Sequence, residues 1–166
     1  MKKTMILAAA MLLAVSSFAQ SGESIYGRYS GKEGVEAVYI SPSMFEMMGQ
    51  LPEFSVETGG EKLDLAPIIR SLEGMYILNS SNAEVNAGMG KDVDEMVRKG
   101  RFDLLMEARD GSEHVRMYTR PEKNSSDFLN GFMLFVDDGS ESTFICIDGR
   151  MSRGDFEKLV GAAMQQ

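Results

Sequence analysis

Two rhythms divide the chain. From residue 35 to 100, short apolar runs alternate with stretches whose apolar residues recur every three or four positions, the mark of strands leading into amphipathic helices. ValGluAlaValTyrIle (35–40) is β-branched and predicts a strand, stopped where Ser41 caps a helix and Pro42 takes its first position. Met44, Met47, Met48 and Leu51 follow at i, i+3, i+4, i+7 and predict the buried stripe of that helix. Pro52 to Lys62, with two glycines and little periodicity, predicts a loop. Asp64 to Gly74 predicts a second helix with Leu65, Ile68, Ile69 and Leu72 on one face, and MetTyrIleLeuAsn (75–79) a second strand. Asn82 then caps a third helix striped by Val85, Met89, Val93, Met96 and Val97 and ending at Gly100. Gly88 and Gly90 each weaken it by roughly 1 kcal/mol relative to alanine, so its first half is expected to fray.

After Gly100 the period drops to two. Residues 101–109 and 113–120 flank Asp110-Gly111, and GlyPheMetLeuPheVal (131–136) and SerThrPheIleCysIle (142–147) flank Asp137-Asp138-Gly139, two hairpin signals separated by a polar loop, Pro121 to Asp127. Ser152 and Asp155 form a capping box for a last helix, with Phe156, Leu159, Val160, Ala163 and Met164 as its stripe. Residues 20–34 are polar, with Ile25, Tyr26 and Tyr29 at helical spacing, and predict a short N-terminal helix. The order β-α-α-β-α-β-β-β-β-α predicts an α+β two-layer sandwich: one mixed sheet of about six strands, with helices mainly on one face and a single domain over 35–166.

The first residues read as an address. Lys2 and Lys3, the apolar stretch Met5 to Val15 and the small-x-small Ser17-Phe18-Ala19 predict a signal peptide over 1–19, so that the processed chain begins at Gln20 in the periplasm or outside the cell. No later run is apolar enough for a membrane anchor. The whole chain has 17 basic and 25 acidic residues, a net charge of −8, and processing removes two lysines. That acidity repels phosphate backbones and argues against a nucleic-acid partner. One cysteine allows no internal disulfide.

The succession ValTyrIleSerProSerMetPhe (38–45), LeuGluGlyMetTyrIleLeu (72–78), PheAspLeuLeuMetGluAla (102–108) and IleAspGlyArgMet (147–151) before a final helix resembles the domain-of-unknown-function family 4252, small exported proteins typical of Bacteroidetes. The resemblance implies an envelope protein tied to envelope signalling. It carries over no catalytic residue.

Candidate chemistry is sparse. Cys146 shares an apolar strand face with Phe144, far in sequence from the only histidine, so a core residue is expected rather than a nucleophile. His114, Arg116, Tyr118 and Arg120 alternate on one strand face, a row of two guanidiniums, an imidazole and a phenol about 7 Å apart. That row suits a carboxylate, phosphate or sugar, or else ion pairs with Asp103, Glu107 and Arg109 across the hairpin. Met44, Met47 and Met48 offer thioethers to cuprous ion, but helical spacing explains them as core, and no cofactor or metal is expected. Asp92, Asp94, Glu95, Asp137 and Asp138 lack the spacing of a calcium loop and read as solvated surface. The expectation is a non-enzymatic binding or protein-interaction domain that pairs with an envelope protein or with itself. The alternatives are a carrier of a small apolar ligand and a hydrolase using His114. The strands of 131–147 are apolar on both faces, so one face must meet the helices and the other must meet the N-terminal segment, a second subunit or a partner.

Overall fold

The structure is a computed structural model that describes residues 22–49, 55–58, 61–64, 66–122 and 125–157. Its elements run α1 (Gly22–Tyr29), β1 (Val35–Ile40), α2 (Pro42–Gly49), β2 (Ser55–Thr58), β3 (Glu61–Asp64), α3 (Ala66–Arg70), β4 (Leu72–Ser80), α4 (Ala83–Gly100), β5 (Asp103–Asp110), β6 (Glu113–Glu122), β7 (Ser125–Asp137) and β8 (Ser142–Ser152). A last helix starts at Arg153. The signal peptide, Leu51, Leu65, and Leu159, Val160, Ala163 and Met164 of the last stripe lie outside the described residues.

Six strands form one sheet in the order β1-β4-β8-β7-β6-β5, the α+β architecture expected from the sequence. All five pairings are antiparallel, so the sheet is not mixed. The segment 41–71 returns the chain to the end of the sheet it left, and β4 therefore runs back alongside β1. Part of that segment, expected to be loop, forms the two-stranded hairpin β2–β3. Only two residues separate its strands, Gly59 and Gly60, a hairpin signal in their own right. The helix expected over 64–74 is confined to Ala66–Arg70, because Leu72 to Gly74 join β4 through a bulge against β8.

On α2 the expected stripe is corrected. Phe45 and Gly49 are buried, whereas Met44 and Met47 are 49% and 66% exposed. Within Pro42–Gly49 the aromatic ring of Phe45 offers more apolar area to bury than a neighbouring thioether.

α1 and α4 cover one sheet face. Asn82 caps α4 as expected, its Oδ1 accepting from the backbone N–H groups of Glu84 (3.0 Å) and Val85 (3.3 Å). Val85, Met89, Val93 and Met96 are buried against Leu78, Phe144, Phe135 and Met133 of the sheet. The helix is continuous from Ala83 to Gly100, and Gly88 has a packing role. A Cβ on Gly88 would stand 2.8 Å from the Tyr29 hydroxyl, so the missing side chain lets α1 approach. Tyr29 then donates to Asp92 of α4 (2.8 Å), and Arg28 reaches the same carboxylate (2.6 Å). At the β1 end of this face Tyr26, Tyr39 and Tyr76 cluster, the last two stacked with centroids 5.0 Å apart.

Candidate functional site

The predicted strip on β6 lies on the helix-covered face. Tyr118 is 7% exposed and belongs to the core. The Arg116 guanidinium lies 5.2 Å from the Phe135 ring centre and donates to Asp94 of α4 at 2.6 Å, so its partner comes from the helix rather than the hairpin. His114 pairs with Glu107 across the hairpin (Nε2 to Oε1, 2.7 Å), and Arg109 donates to the same oxygen at 3.0 Å. These two neighbours hold the Glu107 carboxyl below its ordinary range. Arg120 donates to the Asn130 carbonyl (3.3 Å) and sits 5.5 Å from the Phe102 ring centre. The four share a face, yet each side chain is spent on the chain's own fold or buried in it.

The acidic residues read as solvated surface have structural tasks. Asp92 and Asp94 tie α4 to α1 and β6, and Glu95 pairs with Lys99 one turn on. Asp137 accepts from the Gly139 N–H, and Asp138 accepts from Ser140 and Glu141, which holds its carboxyl below the usual range. Among the described residues, no three histidine, cysteine or acidic side chains group as a metal site.

Cys146 is 2% exposed in the core. Burial, then the nearby Asp148 carboxylate, pushes its thiol well above the ordinary range, although the Gly22 backbone N–H at the start of α1 partly opposes this. A protonated, enclosed sulfur is a poor nucleophile.

The opposite face is different. Register places Val38, Ile77, Ile145, Leu134, Met117 and Met106 side by side across all six strands. None of the six is buried, in contrast to the row Tyr76, Cys146, Met133, Tyr118 behind it, all of them in the core. Beside this apolar row run Ile40, Met75, Ile147 and Phe132, and on its other flank Val136, Val115 and Ala108. α1 does not cover this face, since it packs with α4 on the other one.

At one end of the open face the ladder breaks in three adjacent strand pairs: between Leu72 and Gly74, between Thr119 and Pro121, and between Asn130 and Phe132. Bulges bend strands and are enriched beside binding sites. Here they border a cavity of about 270 Å³. Its floor includes Met117, Leu129 and Ile147, and its far wall is Phe156 of the last helix, whose ring centre lies 5.8 Å from that of Phe132. The Ser152–Asp155 box fixes the start of that helix, with Ser152 Oγ accepting from the Asp155 N–H at 3.0 Å. Gly131 adopts φ +89° at the bulge, a conformation that glycine takes without strain. The wall's single polar side chain, Thr119, donates its hydroxyl to the Gly131 carbonyl at 2.9 Å. The cavity therefore offers apolar contact and, among the described side chains, no spare hydrogen-bond donor. The apolar strands signalled the open face in the sequence, but the cavity depends on register breaks between distant segments, which leave no local signal.

Residues 29–159 match the model of a family described as "Domain of unknown function (DUF4252)". No curated protein matches the chain, and no solved structure does.

Proposed function

The chain belongs to the DUF4252 family, and from its cavity we propose that it is a non-enzymatic binding protein of the cell envelope that holds an apolar aliphatic group at the bulged end of its sheet. The observation that carries this reading is a cavity walled by seven aliphatic and aromatic side chains whose one hydroxyl already gives its proton to the backbone. The signal-peptide pattern of residues 1–19 supports an exported protein. Among the described residues no helix is long and apolar enough to cross a membrane. His114, the base a hydrolase would need, lies on the other face of the sheet from the cavity.

Size and chemistry set the ligand class. A dry apolar cavity of about 150 Å³ suffices for benzene, so about 270 Å³ suits a chain of roughly eight to ten carbons. Eight methylenes at about 0.8 kcal/mol each give roughly 6 kcal/mol, a dissociation constant in the tens of micromolar. Native mass spectrometry of protein from its own host should find a bound lipid-like mass, and titration calorimetry should place decanol in that range. Ile147→Phe, which puts a ring into the cavity, should weaken decanol at least tenfold. An affinity unmoved by Ile147→Phe, or no co-purifying ligand together with no decanol binding below 1 mM, would sink the reading.

A further inference from the structure

Among the described residues the sulfurs range from sealed to open. Cys146, Met89, Met96 and Met133 are at most 2% exposed, enclosed between α4 and the sheet. Met47 and Met44 are 66% and 49% exposed and stand one turn apart on α2. We propose that this pair is an oxidation site, at which the folded protein takes up oxygen from a two-electron oxidant of the hypohalous-acid class. The proposal is independent of the cavity reading, since neither methionine lines that cavity.

The state of the one thiol makes the thioethers matter. A cysteine reacts with such oxidants through its thiolate and only where it is reachable. Cys146 is enclosed, and burial followed by the Asp148 carboxylate keeps it protonated. An oxidant arriving from solution therefore meets exposed methionine before it meets cysteine.

α2 holds the pair outward. The helix buries Phe45 and Gly49, four positions apart, and a Cβ on Gly49 would run into the Arg70 side chain of α3. Met44 and Met47, three positions apart, lie on roughly the opposite side of the helix, with Cβ atoms about 5–6 Å from each other. Oxygen added there points to water and leaves Phe45 in place. On Met89 or Met133 the same polar oxygen would be buried among Leu78, Phe135 and Phe144, which offer its dipole no hydrogen bond. Met106, 44% exposed on β5, ranks after both.

The chemistry is an oxygen transfer. A lone pair on the thioether sulfur attacks the oxygen of hypochlorous acid; an S–O bond forms, the O–Cl bond breaks, chloride leaves and the hydroxyl proton goes to water. Sulfur loses two electrons and chlorine gains them. A sulfoxide reductase with thiols reverses the step, the oxygen leaving as water while two thiols become a disulfide.

The test treats the processed, folded protein with stepwise hypochlorous acid and locates the added oxygen by peptide mass spectrometry. The first two oxygens should lie on Met47 and Met44, at least about tenfold ahead of Met89, Met96 and Met133. The melting temperature should not move at that stage, and the two epimer-specific sulfoxide reductases with a dithiol should remove both oxygens. Met44→Leu with Met47→Leu, which keeps the apolar bulk on the solvent side, should fold as the parent does and lose the fast uptake. First oxygens on Cys146 or on a buried methionine overturn the proposal, as does a lower melting temperature once Met44 and Met47 alone carry oxygen. Two oxygens taken up by the double variant at the parent's rate, or sulfoxides that both reductases leave in place, overturn it equally.

Discussion

Asp148 is a carboxyl in the wrong surroundings. Burial raises its pKa above the ordinary 3.8, and the Glu73 and Glu23 carboxylates add to the shift while Arg120 opposes it. The folded chain thus holds this proton more tightly than the unfolded chain does. The sign of the linkage follows: the contribution to stability is fully present below the unfolded pKa and is lost as pH rises through the folded one. Asp148→Asn, which keeps the shape and removes the titration, should therefore raise the melting temperature at pH 7 and flatten the decline in stability above about pH 4. Thermal melts between pH 3 and 8 check this; an unchanged slope would show that Asp148 does not carry it. The same surroundings keep Cys146 protonated, so the residue that looked most reactive in the sequence is held inert by its neighbours.

Within α4, two substitutions should reverse what helix propensity alone suggests. Gly88→Ala ordinarily gains about 1 kcal/mol in a helix interior. Here the added Cβ meets the Tyr29 hydroxyl and displaces it from Asp92, so the variant should be less stable than the parent, and adding Tyr29→Phe should recover part of the loss. Arg101 follows the helix at φ 54°, ψ 49°, the left-handed cap that glycine occupies without strain. Arg101→Gly should stabilise the protein by about 1 kcal/mol in denaturant melts. What was legible at this scale was local. The Asn82 cap, the Ser152–Asp155 box and the turns at Gly111 and Gly139 are decided by hydrogen bonds and dihedrals within a few residues. The α2 stripe was misread because methionine spacing says which residues could share a face, while a competing phenylalanine decides which are buried. Pro121 to Asp127 looked like a polar loop, yet β6 and β7 extend through most of it, since Glu122 opposite Ser125 continues a ladder that polarity does not reveal.

For the whole molecule, strand order separates chain neighbours from spatial ones. β5 through β8 form a meander in which each strand pairs with the one before it, whereas Tyr76 of β4 lies opposite Cys146 of β8. Loop closure is costly for such distant partners, and rates fall as contacts become less local. The four-stranded meander should therefore assemble first, and β4, bringing β1 with it, should dock late. The same feature assigns kinetic roles to residues of similar burial. Phe135→Leu, in the meander, should slow refolding, while Leu78→Ala, on β4, should mainly speed unfolding, as stopped-flow measurements across a denaturant series would read out. Until β4 docks, Phe144 and Cys146 lie at the edge of a partly formed sheet, and the interval before that closure is when the chain is most open to pairing with the wrong strand.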